Sequence, residues 1–130
     1  MTQKINAIDH VHICPKYEKA ISILGKRWTG LIIKALMDGS LRFNELLKIV
    51  GTVSDRVLTE RLRELEAEGL LERLVHPESP VRIEYMLTPK GRSMEQVLDA
   101  LQNWANKWVS YEPSENAHTF EEVSDITAQS

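Results

Sequence analysis

Ser54-Asp55-Arg56-Val57-Leu58-Thr59-Glu60-Arg61-Leu62-Arg63-Glu64-Leu65 reads as a helix with two chemically different sides. With an advance of about 100° per residue, Leu62 and Leu65 fall within about 40° of Leu58, so one stripe is apolar and faces a core. Arg56, Thr59, Glu60 and Arg63 gather on the opposite side, centred near about 150° by the same arithmetic. Ser54 is the expected N-cap, its hydroxyl accepting a backbone N–H that the first turn leaves unpaired. Gly69, just past Glu68, ends the helix.

On the N-terminal side, Phe43, Leu46, Leu47 and Val50 have the spacing of a short helix closed at Gly51. On the C-terminal side, Leu71, Arg73 and Val75 alternate with Leu70, Glu72 and Leu74. Val81, Ile83, Tyr85 and Leu87 then alternate with Arg82, Glu84 and Met86. These period-two runs flank His76-Pro77-Glu78-Ser79-Pro80 and predict a hairpin with a stiffened tip. From Ser40 to Thr88 the order is therefore helix, turn, helix, two-stranded ribbon. That order offers one helix to the major groove of a duplex and a β wing to the neighbouring backbone. The expected fold class is mainly α with a small β wing, a winged helix-turn-helix.

Two helices are expected upstream. Pro15 suits the first helical position after Cys14; Tyr17, Ile21 and Leu24 follow at helical spacing, and Gly25 ends the run. A second begins near Arg27, carries Trp28, Leu31, Ile32, Ala35 and Leu36 on one face, and stops at Asp38-Gly39. Downstream, Thr88-Pro89 caps one long final helix with Met94, Val97, Leu98, Leu101, Trp104, Ala105 and Trp108 on a stripe. That stripe is bulky for a small domain whose core has its own apolar faces. Its surplus predicts a homodimer, with Leu98, Leu101, Trp104 and Trp108 as the dimerisation residues. The expected organisation is one DNA-binding and dimerisation domain over 1–110 and an acidic, disordered tail over 111–130.

Composition sets looser bounds. At 130 residues and 42% apolar the chain can build one ordinary core. Leu31-Ile32-Ile33 is cut off by Lys34, so no membrane span is expected, and the start lacks a basic-then-apolar signal, which points to the cytoplasm. A single cysteine excludes an internal disulfide framework and fits a reducing compartment. The formal charge is −3, yet residues 111–130 carry five acidic and no basic side chains. The other 110 residues balance 16 basic against 14 acidic groups, +2, so any DNA contact depends on local clustering.

Arg56 and Arg63, two turns apart, suit paired hydrogen bonds to guanine, and Thr59 between them suits a thymine methyl. Ser54 places the helix N-terminus against a phosphate. Arg42 and Arg82 are expected as phosphate clamps, although Arg82 has Glu84 or Glu72 as alternative partners on the ribbon. Asp55 and Glu60 repel phosphate, so they turn away or meet cytosine amino groups. The bland alternative is a solvated helix face on a winged-helix module that binds protein and no DNA.

Cys14 has two readings on spacing alone: a thiol acidified by a helix N-terminus and by Lys16 and Lys19, or a small buried apolar group beside Pro15. His10, His12 and Cys14 alternate and have donor atoms for Zn²⁺ or Cu⁺, but three groups in a loose tail are too few, and no metal is assigned. His76 and His118 lack partners nearby in sequence. Trp28, Trp104, Trp108 and Tyr17 are candidates to line a ligand pocket, with core packing as the alternative. No nucleophile triad context, phosphate-cradling glycine loop or HExxH motif is present, so no enzyme and no cofactor are expected.

The chain resembles the HxlR-type winged-helix transcriptional regulators, relatives of the MarR group in bacteria. The resemblance spans roughly residues 10–110 and rests on an ordered set of motifs. These are Cys14-Pro15, Gly25-Lys26-Arg27-Trp28-Thr29, Arg42-Phe43-Asn44-Glu45-Leu46, the run Leu58 to Glu66, Gly69-Leu70-Leu71, Glu84-Tyr85, Leu87-Thr88 and Gly91. It implies a homodimer held by its terminal helices, more often a repressor, reading double-stranded operator DNA with paired recognition helices. It also implies a redox-sensing role for Cys14, or control by a small-molecule inducer. A second cysteine seen in some members is absent, so a switch between two different cysteines of one chain is not available, while Cys14 can still pair with its counterpart in a second copy or form a mixed disulfide.

Overall fold

A computed structural model of the protein describes residues 13–112. His10, His12, His118 and the acidic tail from 113 onward lie outside the described residues.

Helix α1 runs Pro15–Leu24, with Pro15 at the first turn and Gly25 as C-cap. Helix α2 is Thr29–Ala35, continued by a 3-10 turn over Leu36–Asp38 that Gly39 ends. Its start falls two residues later than the periodicity suggests. Trp28 is its N-cap with φ 79°, a left-handed conformation that costs a bulky residue energy and breaks the chain between α1 and α2. Helix α3 is Phe43–Val50 and helix α4 is Asp55–Ala67. Between them Gly51 takes φ 94°, which a residue without a Cβ adopts freely.

Strand β1, Leu71–His76, pairs antiparallel with β2, Arg82–Leu87, in a register that sets Leu71 against Leu87 and His76 against Arg82. Val81 falls outside the strand and is exposed. Leu41 adds an isolated bridge to Tyr85: the Leu41 N–H donates to the Tyr85 carbonyl at 3.0 Å, and the Tyr85 N–H returns the bond at 2.8 Å. The ribbon is thereby fastened to the segment that leads into α3.

The long final helix expected from Thr88 is broken in two. Helix α5, Pro89–Arg92, is one turn capped by Thr88, whose hydroxyl accepts from the Gly91 N–H at 3.1 Å and donates to the Gly69 carbonyl at 2.6 Å. After Ser93 and Met94 the chain restarts as helix α6, Glu95–Trp108.

One core joins these elements: Ile32, Ile33 and Leu36; Leu46, Val50 and Val53; Leu58, Leu62 and Leu65 from α4; Leu70 just before the ribbon; and Leu71 and Leu87 from the ribbon itself. Truncating a fully buried Leu of this kind to Ala costs about 2–5 kcal/mol. Leu31, expected on the buried face of α2, is instead exposed, because Ile32 and Ile33 fill the core side. Among the described residues no helix is long and apolar enough to cross a membrane.

Candidate nucleic-acid interface

The apolar stripe of α4 fixes which side faces out. With Leu58, Leu62 and Leu65 buried at 2% exposure or less, Arg56 and Arg63 emerge on the open side. The Arg56 side chain is 86% exposed, and its ion-pair partner among the described residues is Glu60, 4.0 Å away one turn along. A contact that long between exposed groups contributes little, so Arg56 is held loosely. Among the described residues Arg63 has no ion pair. The Thr59 hydroxyl donates to the Asp55 carbonyl at 2.8 Å, which ties up its proton. Ser54 is the N-cap: its Oγ accepts from the Val57 N–H at 3.2 Å, at the helix end where backbone donors favour an anion.

The wing is more heavily tied than the sequence suggests. Arg82 is half-buried, with Nε 3.2 Å from Glu84 and Nη2 3.8 Å from Glu78. The same Glu84 oxygen stands 2.9 Å from His76 Nε2, and its second oxygen accepts from the Ser40 hydroxyl at 2.7 Å. His76 Nε2 and Arg82 Nε are close to that oxygen without the alignment of a hydrogen bond. The Ser40 hydroxyl, then the charges of Arg82, His76 and Arg42, hold the Glu84 carboxyl below the usual carboxylate range. Of the two partners expected for Arg82, Glu84 is the one used; Glu72 pairs with Met86 in the ladder instead. Arg42 is exposed and precedes α3, where its backbone N–H donates to Glu45 at 2.8 Å. Arg42 and Arg82 line one cavity of about 470 Å³ with Ser40, Asn44, Glu45 and Glu84. Ser40 and Glu84 were not among the expected site residues. Their signal is a long-range hydrogen bond, which no local pattern reveals.

Cys14 is exposed among the described residues of the single chain rather than packed as a buried apolar group. Backbone N–H groups of Tyr17 and then Lys16, the open donors of the α1 N-terminus, hold its thiol below the ordinary value. Lys19, expected to help acidify the thiol, is instead paired with Glu68, its ammonium 2.9 Å from that carboxylate.

The stripe of α6 divides. Leu98 is half-buried and packs against the core near Gly30, as does Met94, so Leu98 is turned inward in its own chain rather than outward. Val97, Leu101, Trp104 and Trp108 remain 47–66% exposed. Trp28 is drawn against the core while Tyr17, Trp104 and Trp108 are exposed, so the four aromatic residues do not close a pocket within one chain.

A family model described as an HxlR-like helix-turn-helix matches residues 23–113. The chain is 50% identical over 97 residues to the uncharacterized HTH-type transcriptional regulator YvaP of Bacillus subtilis, covering 75% of this chain and 90% of that protein. It is 48% identical over 96 residues to the HTH-type transcriptional regulator YodB of the same organism, covering 74% and 86%. The structure of reduced YodB superposes with a TM-score of 0.70 at 45% identity, covering 78% of this chain and all of that one. Quinone-bound YodB gives 0.66 at 44% identity, covering 74% of this chain and all of that one. The redox regulator HypR in its oxidized form gives 0.69 at 35%, covering 75% of this chain and all of that one.

Proposed function

Because the chain belongs to the HxlR-like helix-turn-helix family of transcriptional regulators, we propose that it represses transcription as a homodimer bound to double-stranded operator DNA. Two copies of α4 enter successive major grooves, so half-sites lie about one helical turn, 10–10.5 bp, or a multiple apart. Arg56 and Arg63 read base edges, the Thr59 methyl contacts thymine, and the Ser54 end of α4 meets a phosphate. Arg42 contacts backbone at the entry of α3. Arg82 joins it from the wing only by exchanging Glu84 for a phosphate. The pair of exposed arginines two turns apart, on the face opposite the buried leucines of α4, supports this reading most directly.

Cys14 is the sensor in this reading. Its thiolate adds to a ring carbon of a quinone: an S–C bond forms, the ring π electrons move onto oxygen, and protonation gives a hydroquinone thioether. The exposed, acidified thiol supports this, as does a relative solved in a quinone-bound form.

A gel-shift against duplexes selected from a random library tests the proposal. Arg56→Ala and Arg63→Ala should each weaken binding by about 1–3 kcal/mol and relax preference at one base position. Retention of full affinity and sequence preference by the double variant would rule out this face as the reader and favour a protein-binding module.

A further inference from the structure

Arg61 lies on α4 between the reading arginines, yet its side chain is only 19% exposed and runs backwards. Its Nε donates to the Arg27 carbonyl at 3.0 Å, in the turn joining α1 to α2, and its Nη1 donates to Glu64 at 2.7 Å. Glu64 also takes Lys26 from that turn, and Glu68, one helical turn further on, takes Lys19 from the middle of α1. The rear of α4 thus grips α1 and its exit at three points. The gripped joint holds Trp28 in a left-handed conformation, with the Arg27 guanidinium 4.4 Å over its ring. Such backbone persists only where its surroundings enforce it. Helix α1 itself has no fully buried residue; Ile23 packs against the core and Leu24 approaches Gly30, and the polar contacts add to that attachment.

We infer that Arg61 is a positioning residue that, with Glu64 and Glu68, latches α1 to the rear of α4 so that the two helices shift together. The inference rests on the DNA-binding reading only for its consequence: a change at the Cys14 end of α1 alters how Arg56 and Arg63 are presented. The latch itself is a property of the single chain.

Hydrogen–deuterium exchange on the full chain, with and without methyl methanethiosulfonate at Cys14, tests it. The reagent's only cysteine target is Cys14. The Cys14 thiolate displaces methanesulfinate, and a bulkier, non-ionisable disulfide replaces the thiol beside the first-turn N–H groups of α1. In the wild-type chain this should change exchange over residues 61–68 by about fivefold, the low end of ordinary coupling between sites. In Arg61→Gln the change should stay in α1. No change at residues 61–68 in the wild type, or the same change in a folded Arg61→Gln, overturns the latch. If Arg61→Gln does not fold, Lys19→Gln with Lys26→Gln cuts the grip from the exposed α1 side and must weaken the response; an undiminished response contradicts the inference. Intact coupling in a protein that binds no duplex would uphold the latch and sink the DNA-binding reading, so the two fail separately.

Discussion

Gly91 stands directly against the carbonyl of Leu70: a Cβ at position 91 would lie 2.0 Å from that oxygen and 3.0 Å from Leu87 Cδ2. The single turn of α5 is pressed onto the base of the ribbon at this point, where Thr88 also bonds Gly69. Gly91→Ala should therefore destabilise the fold by about 1–3 kcal/mol or more, since backbone must move to admit the methyl. A denaturant midpoint unchanged from wild type would mean that α5 is not seated as described.

The open apolar face of α6 sets the second expectation. Trp104 and Trp108 are 59% and 66% exposed in one chain. Burying each contributes about 2–3 kcal/mol, and a two-fold interface counts every side chain twice. With only the still-exposed part left to bury, Trp104→Ala should then weaken dimerisation by about 2–4 kcal/mol, about thirtyfold to a thousandfold in dissociation constant, in sedimentation equilibrium. An unaltered monomer–dimer equilibrium would place the interface elsewhere.

Cys14 should react with Ellman's reagent at neutral pH faster than an unperturbed thiol. Its lowered pKa leaves more thiolate there, so the rate should level off at a lower pH. The cause is backbone N–H donation, so Lys19→Ala should leave this profile where it is. Cys14→Ser should keep DNA binding and lose any response to a quinone; a quinone response that survives in Cys14→Ser excludes the thiol as sensor.

Glu64 links stability to acid. Its hydrogen bond from Lys26, reinforced by Arg61, lowers its pKa in the folded chain. A carboxyl with a depressed folded pKa contributes stability above its unfolded value, and that contribution disappears as pH falls through the depressed value. The urea midpoint should fall as pH drops below roughly 4, and Glu64→Gln should flatten that part of the profile. An identical acid limb in the variant would show that Glu64 has no share in it.

Much of this architecture is legible in the sequence because its signals are local. The two sides of α4, its Ser54 cap and the Gly69 stop follow from helical period and capping chemistry within fifteen residues. The hairpin follows from period-two alternation around two prolines. What stays hidden depends on distant contacts. The apolar spacing of Met94 to Trp108 does not say that Met94 and Leu98 turn inward while Trp104 and Trp108 stay out; packing of α6 on α2 near Gly30 decides that. The break after Arg92 has no local signal, and Gly91 at that turn meets Leu70, twenty-one residues earlier in the chain. Arg61 looks like one more surface charge until the Arg27 carbonyl is placed beside it. Ser40 and Glu84 meet only because the Leu41–Tyr85 bridge folds the ribbon back onto the approach to α3.

Fluorescence anisotropy of a labelled duplex selected from a random library, titrated at several salt concentrations, decides whether paired α4 helices bind it through arginines and phosphate contacts. With about three phosphates neutralised per subunit, log K against log salt should fall with a slope of about −5. A slope near zero, or no binding at low salt, would mean that α4 is not a duplex-binding helix.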